Sequence, residues 1–212
     1  MPRAILFANG DPPDPGFARQ LIQPADILIA ADGGARHAAA LGLIPSVIIG
    51  DFDSISVDEL SQFASAGTRL ERYPPAKDET DLELALNHAL RAGCSPIIIL
   101  GAYGGRLDHS LGIFSLLSDP LYRAAGVRSE DGQTEAFFIS QPAEIDGAPG
   151  DTVSLIAWGQ PAEGVTTEGL EYPLKAETLS PYRTRGVSNR MTAEKASVSL
   201  TSGLLLCIHT RN

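Results

Sequence analysis

Cysteine is scarce in this chain. Cys94 and Cys207 are the only two, they stand far apart, and each lies beside apolar residues. That spacing excludes a disulfide framework and a thiolate zinc site, and reads as small core residues in a reducing compartment. Positive charge is also short: 16 Lys and Arg face 26 Asp and Glu, for a net charge of −10. A general nucleic-acid surface needs a basic stripe, so that class is excluded. A single nucleotide is not, because Mg2+ can carry the missing positive charge. No apolar run approaches the length of a membrane-spanning helix. The opening Met1 to Phe7, soon followed by Asn9-Gly10-Asp11, is too short for a leader's apolar region and cleavage site. There is no Walker motif and no GxGxxG, which excludes a P-loop and a dinucleotide fingerprint. No internal repeat or low-complexity segment is present. The expectation is a soluble, cytoplasmic protein with a real core, built as one large domain or two modest ones.

What the chain does have is a series of short apolar runs, each ending in polar or glycine-rich residues. Ala4 to Ala8 ends at Asn9-Gly10. Asp26 to Ala31 ends at Asp32-Gly33-Gly34. Val47 to Ile49 ends at Gly50-Asp51-Phe52-Asp53-Ser54. Pro96 to Leu100 ends at Gly101 to Gly105. Such runs read as buried strands. Helical patterns alternate with them: Phe17 to Ile22, Ala35 to Leu41 before Gly42, and Val57 to Ala66 before Gly67. Arg69 to Tyr73 adds a strand before Pro74-Pro75. A helix after Thr80 shows a capping box with Glu83 and an apolar face of Leu82, Leu86 and Leu90. Asp108 is expected to cap a helix running to about Leu117. This alternation predicts an α/β domain with a mainly parallel sheet flanked by helices. After about Asp119 the pattern changes to strands, at Ala136 to Ile139, Thr152 to Trp158, Ala196 to Leu200 and Leu204 to His209, with turns between several of them. A smaller all-β sandwich domain is expected there. The division is drawn as residues 1–140, nucleotide-binding and catalytic, and 141–212, all-β.

In an open parallel sheet, ligands bind outside the carboxyl ends of the strands. The loops holding Asn9, Gly10, Asp32, Gly33, Gly34, Asp51 and Asp53 then meet the 101–105 loop at one edge. Asp51 and Asp53 stand two residues apart with no base nearby. Like charges so close disfavour double ionisation unless a cation lies between them, and oxygen-only ligands suit a hard ion such as Mg2+. The plainer reading of each acid is a turn former or helix cap. Lys77-Asp78-Glu79-Thr80-Asp81 precedes the capped helix, whose N-terminus favours an anion such as phosphate. Asp81 there also suits the helix dipole without any function. Gly104-Gly105-Arg106-Leu107-Asp108-His109 joins a glycine loop to a guanidinium able to grip phosphate bidentately, a carboxylate, and an imidazole that can accept a proton or simply pack.

Taken together, Asp32-Gly33-Gly34, Gly50-Asp51-Phe52-Asp53-Ser54, Lys77-Asp78-x-Thr80-Asp81 and Gly104-Gly105-Arg106-x-Asp108-His109 resemble the thiamine pyrophosphokinase family in order and spacing over about residues 28 to 117. Ser188-Asn189, Glu194-Lys195-Ala196 and Gly203 to Leu206 are similar to that family's C-terminal end. The resemblance implies an α/β nucleotide-binding domain, a β-sandwich domain that binds thiamine and forms a homodimer, and ATP and Mg2+ as co-reactants. It implies transfer of pyrophosphate from ATP to thiamine, giving thiamine diphosphate and AMP. Metal ligands are then drawn from Asp51, Asp53, Asp78, Asp81 and Asp108. Asn9, Gly10, Gly33, Gly34, Lys77, Thr80, Gly104, Gly105 and Arg106 would hold ATP. Asp32, Asp53, Asp81, Asp108 and His109 would serve catalysis, and Ser188 and Asn189 would touch thiamine. Two positions depart from the family pattern: Ile113 and Arg190 stand where Asn and Glu are usual. Rival readings are the same transfer to another primary alcohol such as a hydroxymethylpterin, a non-catalytic nucleotide or thiamine sensor, and a Mg2+-dependent phosphohydrolase.

Overall fold

The computed structural model describes every residue of the chain except Gly105, so the phosphate-loop role expected of Gly105 lies outside the described residues. They form two compact units, Met1–Gly132 and Gln133–Asn212.

The first unit alternates strand and helix: β1 Ala4–Phe7, α1 Pro15–Leu21, β2 Ile27–Ala31, a 3-10 turn at Asp32–Gly34, α2 Ala35–Ala40, β3 Val47–Gly50, α3 Val57–Ser65, β4 Arg69–Arg72, α4 Asp81–Arg91, β5 Ile97–Leu100, α5 Leu107–Leu117, α6 Pro120–Ala124 and β6 Val127–Glu130. The strands order as β6-β5-β1-β2-β3-β4, and every pairing among them is parallel. Successive side chains of a strand point to opposite faces, and here both faces are covered. Ile5, Phe7, Ala30, Ile48, Ile98 and Leu100 pack with Ala18 of α1, Ala35 and Ala38 of α2 and Leu60 of α3. Leu6, Ile29 and Ile49, on the other face, are fully buried, and α4 packs on β1, β2 and β3. Burial on both sides is why these strands read as unbroken apolar runs. The sheet grows from β1 through β4 in one direction, then resumes with β5 on the far side of β1. The topological switch point is therefore the crevice between β1 and β5.

Two helix starts differ from expectation. At α4, Thr80 Oγ1 accepts from Glu83 N at 3.2 Å, but the reciprocal box forms at α3. There Glu59 N donates to Ser56 Oγ at 3.3 Å and Ser56 N donates to Glu59 Oε2 at 2.9 Å. At α5 the cap position is Arg106, and Asp108 lies inside the first turn. α6 was not foreseen; its five residues are too short to show a period, although Asp119 caps it and Pro120 starts it.

The second unit is antiparallel: β7 Thr134–Ile139, β8 Ala143–Asp146, β9 Thr152–Ala157, β10 Ala162–Glu168, β11 Glu177–Leu179, β12 Asn189–Arg190, β13 Lys195–Ser199 and β14 Leu205–Thr210. Within it β12-β9-β14-β7 form one sheet and β11-β10-β13-β8 another. Ile139, Val153, Leu155, Leu205 and Cys207 of the first sheet share a core with Val165, Leu179, Ala196 and Val198 of the second. This is the expected sandwich. The sequence put the boundary after residue 140, whereas β7 belongs to the second unit because it pairs with β14 along its whole length. Both cysteines are buried and free, as their apolar neighbours predicted. Among the described residues no helix is long and apolar enough to cross a membrane.

One buried cluster in this unit makes stability depend on pH. His209 of β14 is fully buried, with Nε2 3.0 Å from Asp151 Oδ2 and Nδ1 3.9 Å from Glu135 Oε2. Glu135 first and then Asp151 favour the imidazolium, against burial and the charge of Arg211, so the His209 pKa lies above the ordinary histidine value. Burial alone would raise Asp151, but backbone N–H bonds from Ala148 and Asn212 and the His209 contact outweigh it and hold it low. A raised folded-state pKa stabilises fully below the unfolded value of about 6.5 and is lost as pH rises through the folded value. The Asp151 contribution has the opposite sense: it is present above the unfolded carboxylate value and lost as pH falls through the lowered one. The melting temperature of the wild type should therefore fall more steeply than that of His209→Gln as pH rises from about 6.5 through the alkaline range. Parallel curves over that range would contradict the role given to His209.

Candidate active site

At the carboxyl end of the first unit's sheet lies a cavity of about 760 Å³. Its floor comes from the loops after β1 and β5, its acidic wall from those after β2 and β3, and its sides from the first turns of α4 and α5. The β1 and β5 loops are stitched across the switch point. Ala8 N donates to the Leu100 carbonyl at 2.8 Å, and Gly10 N to the Gly101 carbonyl at 2.9 Å. His37 Nε2 bonds the Gly10 carbonyl at 2.9 Å.

Of the residues singled out in the sequence, Asn9, Gly10, Asp32, Asp51, Asp53, Thr80, Asp81, Gly104, Arg106, Asp108 and His109 line this one cavity. Asp51, Asp81 and Asp108, taken from three distant stretches, thus face a common space. Gly33 and Gly34 are buried beneath it. A side chain at Gly33 would meet the Asn9 amide at 2.5 Å, and one at Gly34 would strike the end of β1. Their small size serves packing of the turn on β1. Asp78 is exposed and does not line the cavity.

The carboxylates are not equivalent. Asp32, Asp51 and Asp53 each offer an oxygen within 4.8 Å of the others. Asp32 is only 4% exposed, its Oδ1 has no hydrogen-bond partner, and its φ of 42° is in the left-handed region. Phe52, between the other two, has φ 68°. Non-glycine residues adopt such angles at a cost that the surroundings must offset, and they gather at functional sites. Gly50 lets the acids approach: a Cβ there would lie 3.0 Å from Asp32 Cβ and 3.2 Å from Asp81 Cγ.

Lys77 was expected to reach phosphate. Its ammonium instead sits among the acids, 2.9 Å from Asp81 Oδ1 and 3.5 Å from Asp51 Oδ2. Burial alone would lower its pKa, but these two carboxylates outweigh that and raise it. Asp81 Oδ1, although close to Lys77, lacks a hydrogen bond. Burial, with the like charges of Asp51 and Asp32, lifts the Asp81 pKa above the usual carboxylate value despite Lys77. Asp108 is engaged by Arg106, with Nε to Oδ1 at 3.2 Å and Nη2 to Oδ2 at 2.6 Å. That bond draws the Asp108 pKa down and the Arg106 pKa up. Among the described residues, Asp32, Asp51 and Asp53 form a group of carboxylates able to meet at one ion, and of the other expected ligands Asp81 and Asp108 line the same cavity while Asp78 does not.

A buried Asp32 with one oxygen unpartnered, grouped with two more carboxylates, fits a hard divalent cation. The cavity also takes in Asp11, Ser54, Glu83 and, from α5, Gly112, Ile113 and Leu116, none of them assigned from sequence. Asp11 carried the same signal as the other acids, a carboxylate following a strand end. Ile113 and Leu116 stand four and seven residues beyond His109 along the same helix.

In the second unit, Asn189 is committed to structure. Its Nδ2 donates to the Tyr172 carbonyl at 2.7 Å and its Oδ1 accepts from Tyr172 N at 3.0 Å. Ser188 is in the left-handed region at φ 60°, and its N–H donates to Ser154 Oγ at 3.0 Å.

Residues 18–127 match the family described as thiamin pyrophosphokinase, catalytic domain, and residues 139–205 match thiamin pyrophosphokinase, vitamin B1 binding domain. The thiamine pyrophosphokinase of Bacillus subtilis is 31% identical over 185 residues, covering 86% of each chain. Thiamine pyrophosphokinase 1 of Arabidopsis thaliana is 31% identical over 222 residues, covering 92% of this chain and 82% of its own. The crystal structure of the Bacillus subtilis thiamine pyrophosphokinase superposes with a TM-score of 0.88 at 27% identity, covering 99% of this chain and 100% of its own.

Proposed function

The chain belongs to the thiamin pyrophosphokinase family through both its catalytic and its vitamin B1 binding parts, and from that premise we infer how the acid-lined cavity carries the reaction. Pyrophosphate passes from ATP to the primary hydroxyl of thiamine. A bond forms between that oxygen and the β-phosphorus, the bond from the β-phosphorus to the bridging oxygen of the α-phosphate breaks, and AMP departs. Such transfer is mainly positioning and charge neutralisation.

The observation that carries the reading is Asp32, buried, with Oδ1 unpartnered and within reach of Asp51 and Asp53. These three would hold Mg2+, which supplies a Lewis acid that neutralises and orients phosphate oxygens. Lys77 sets a positive charge against Asp51 and Asp81, which offsets the repulsion between neighbouring carboxylates. The α4 N-terminus, with Thr80 as its cap, presents N–H groups that favour an anion. Arg106, exposed in the cavity lining, has Nε and Nη2 bonded to Asp108, and its remaining Nη1 would donate to phosphate oxygens. His109 or one of the cavity's aspartates would take the hydroxyl proton. Ser188 would touch thiamine, with Asn189 holding the turn that presents it. The working form is a cytoplasmic homodimer.

The metal requirement is tested with purified protein, thiamine and ATP. Excess EDTA should lower AMP formation by at least about a hundredfold, because the developing phosphate charge loses its main stabiliser, and added Mg2+ should restore it. AMP formation indifferent to EDTA would overturn the cation reading of Asp32, Asp51 and Asp53.

A further inference from the structure

We propose that Arg72, which does not line the cavity, is a positioning residue for the cation-holding carboxylates and clamps the Asp51–Asp53 turn from the neighbouring strand. This rests on the reading of Asp32, Asp51 and Asp53 as metal ligands. Arg72 is the last residue of β4 and pairs in register with Gly50, the last of β3. The backbone beyond stays joined, since Tyr73 N donates to the Gly50 carbonyl at 2.9 Å. From there one exposed side chain reaches two successive residues of the turn. Arg72 Nη1 donates to the Asp51 carbonyl at 3.1 Å, and the guanidinium carbon lies 4.8 Å from the centroid of the Phe52 ring.

Those two contacts fall where the backbone most needs holding. Phe52 is in the left-handed region at φ 68°, an unusual place for a bulky side chain. Its two neighbours in sequence are the ligands Asp51 and Asp53. Were Phe52 to relax to an extended backbone, the carboxylates on either side would swing to new directions and leave Asp32. Burial of the ring in the core resists that relaxation from below. Arg72 resists it from the solvent side, by fixing the carbonyl before Phe52 and covering the ring face with a cation. Groups that orient ligands without touching the metal commonly decide its affinity.

The test uses Mn2+ as the probe, with bound and free ion separated by electron paramagnetic resonance on the full chain, alongside Mg2+ titration of AMP formation. Arg72→Met keeps the length and loses the charge and the donor. It should bind Mn2+ about tenfold more weakly, raise the Mg2+ half-saturation in proportion, and keep its melting temperature and its rate at saturating Mg2+. Arg72→Lys, which keeps a cation able to cover the ring, should lose only about threefold. It also serves as the second variant if Arg72→Met does not fold. Arg72→Met binding Mn2+ as tightly as wild type, or losing rate at saturating Mg2+ with Mn2+ affinity intact, would overturn the role of Arg72. Wild type that binds no Mn2+ would overturn the metal reading beneath it.

Discussion

Asp53→Asn is expected to fold as the wild type does and to release AMP about a hundredfold to a thousandfold more slowly. Asp53 is the exposed member of the acid trio, and its carboxylate accepts a bond from Ser54 Oγ at 3.0 Å. An amide has nearly the same shape, so packing is untouched and the melting temperature should shift by no more than about 2 °C. What changes is charge at the point where the pyrophosphoryl group is transferred. A preorganised charge in such a place is commonly worth about 3 to 4 kcal/mol of barrier, which sets the size of the rate loss. Retention of near wild-type AMP release by folded Asp53→Asn would mean that the cation is held elsewhere.

Gly34→Ala should act on stability with comparable force. Gly34 is buried in the 3-10 turn that presents Asp32. A Cβ on it would run into the Phe7 carbonyl oxygen, lie 2.6 Å from the Phe7 carbonyl carbon and 2.9 Å from that of Ala8. Those atoms are the backbone end of the central strand and cannot turn aside. The overpacking cost is about 3 kcal/mol, which for a chain of this size lowers the melting temperature by about 6 to 12 °C. Gly33→Ala is the control, because its Cβ meets the Asn9 side chain, which can rotate away. Equal melting temperatures for Gly34→Ala and wild type would refute this account of the turn.

The fold was readable in the sequence where burial is two-sided. Val47-Ile48-Ile49 and Ile97 to Leu100 are fully buried in the parallel sheet, so their apolar runs are unbroken and their polar ends mark the rim. From those ends, the convergence of Asp32, Asp51 and Asp53 with the 101–105 loop could be argued, whereas Asp81 and Asp108 stand in the first turns of helices. Strands at the borders were harder. β6 carries Arg128 and Glu130, and β11 and β12 are only three and two residues long, too short for any period to show. Geometry inside the site was not legible. Residue types do not reveal that Lys77 points at Asp81 and Asp51, that Arg106 turns back onto Asp108, or that Asp32 is the buried acid. The placing of Asp32, Asp51 and Asp53 goes with left-handed backbone at Asp32 and Phe52, an angle that a bulky residue such as Phe rarely adopts. Arg72 was invisible for the same reason: its partners are a backbone carbonyl and a ring made neighbours by strand register.

The most direct test is a product count from a single reaction of purified protein with Mg2+, ATP and thiamine. The account predicts AMP and thiamine diphosphate in equal amounts, with neither product formed when thiamine is left out. Formation of ADP with a singly phosphorylated alcohol, or of inorganic phosphate from ATP without any acceptor, would contradict it.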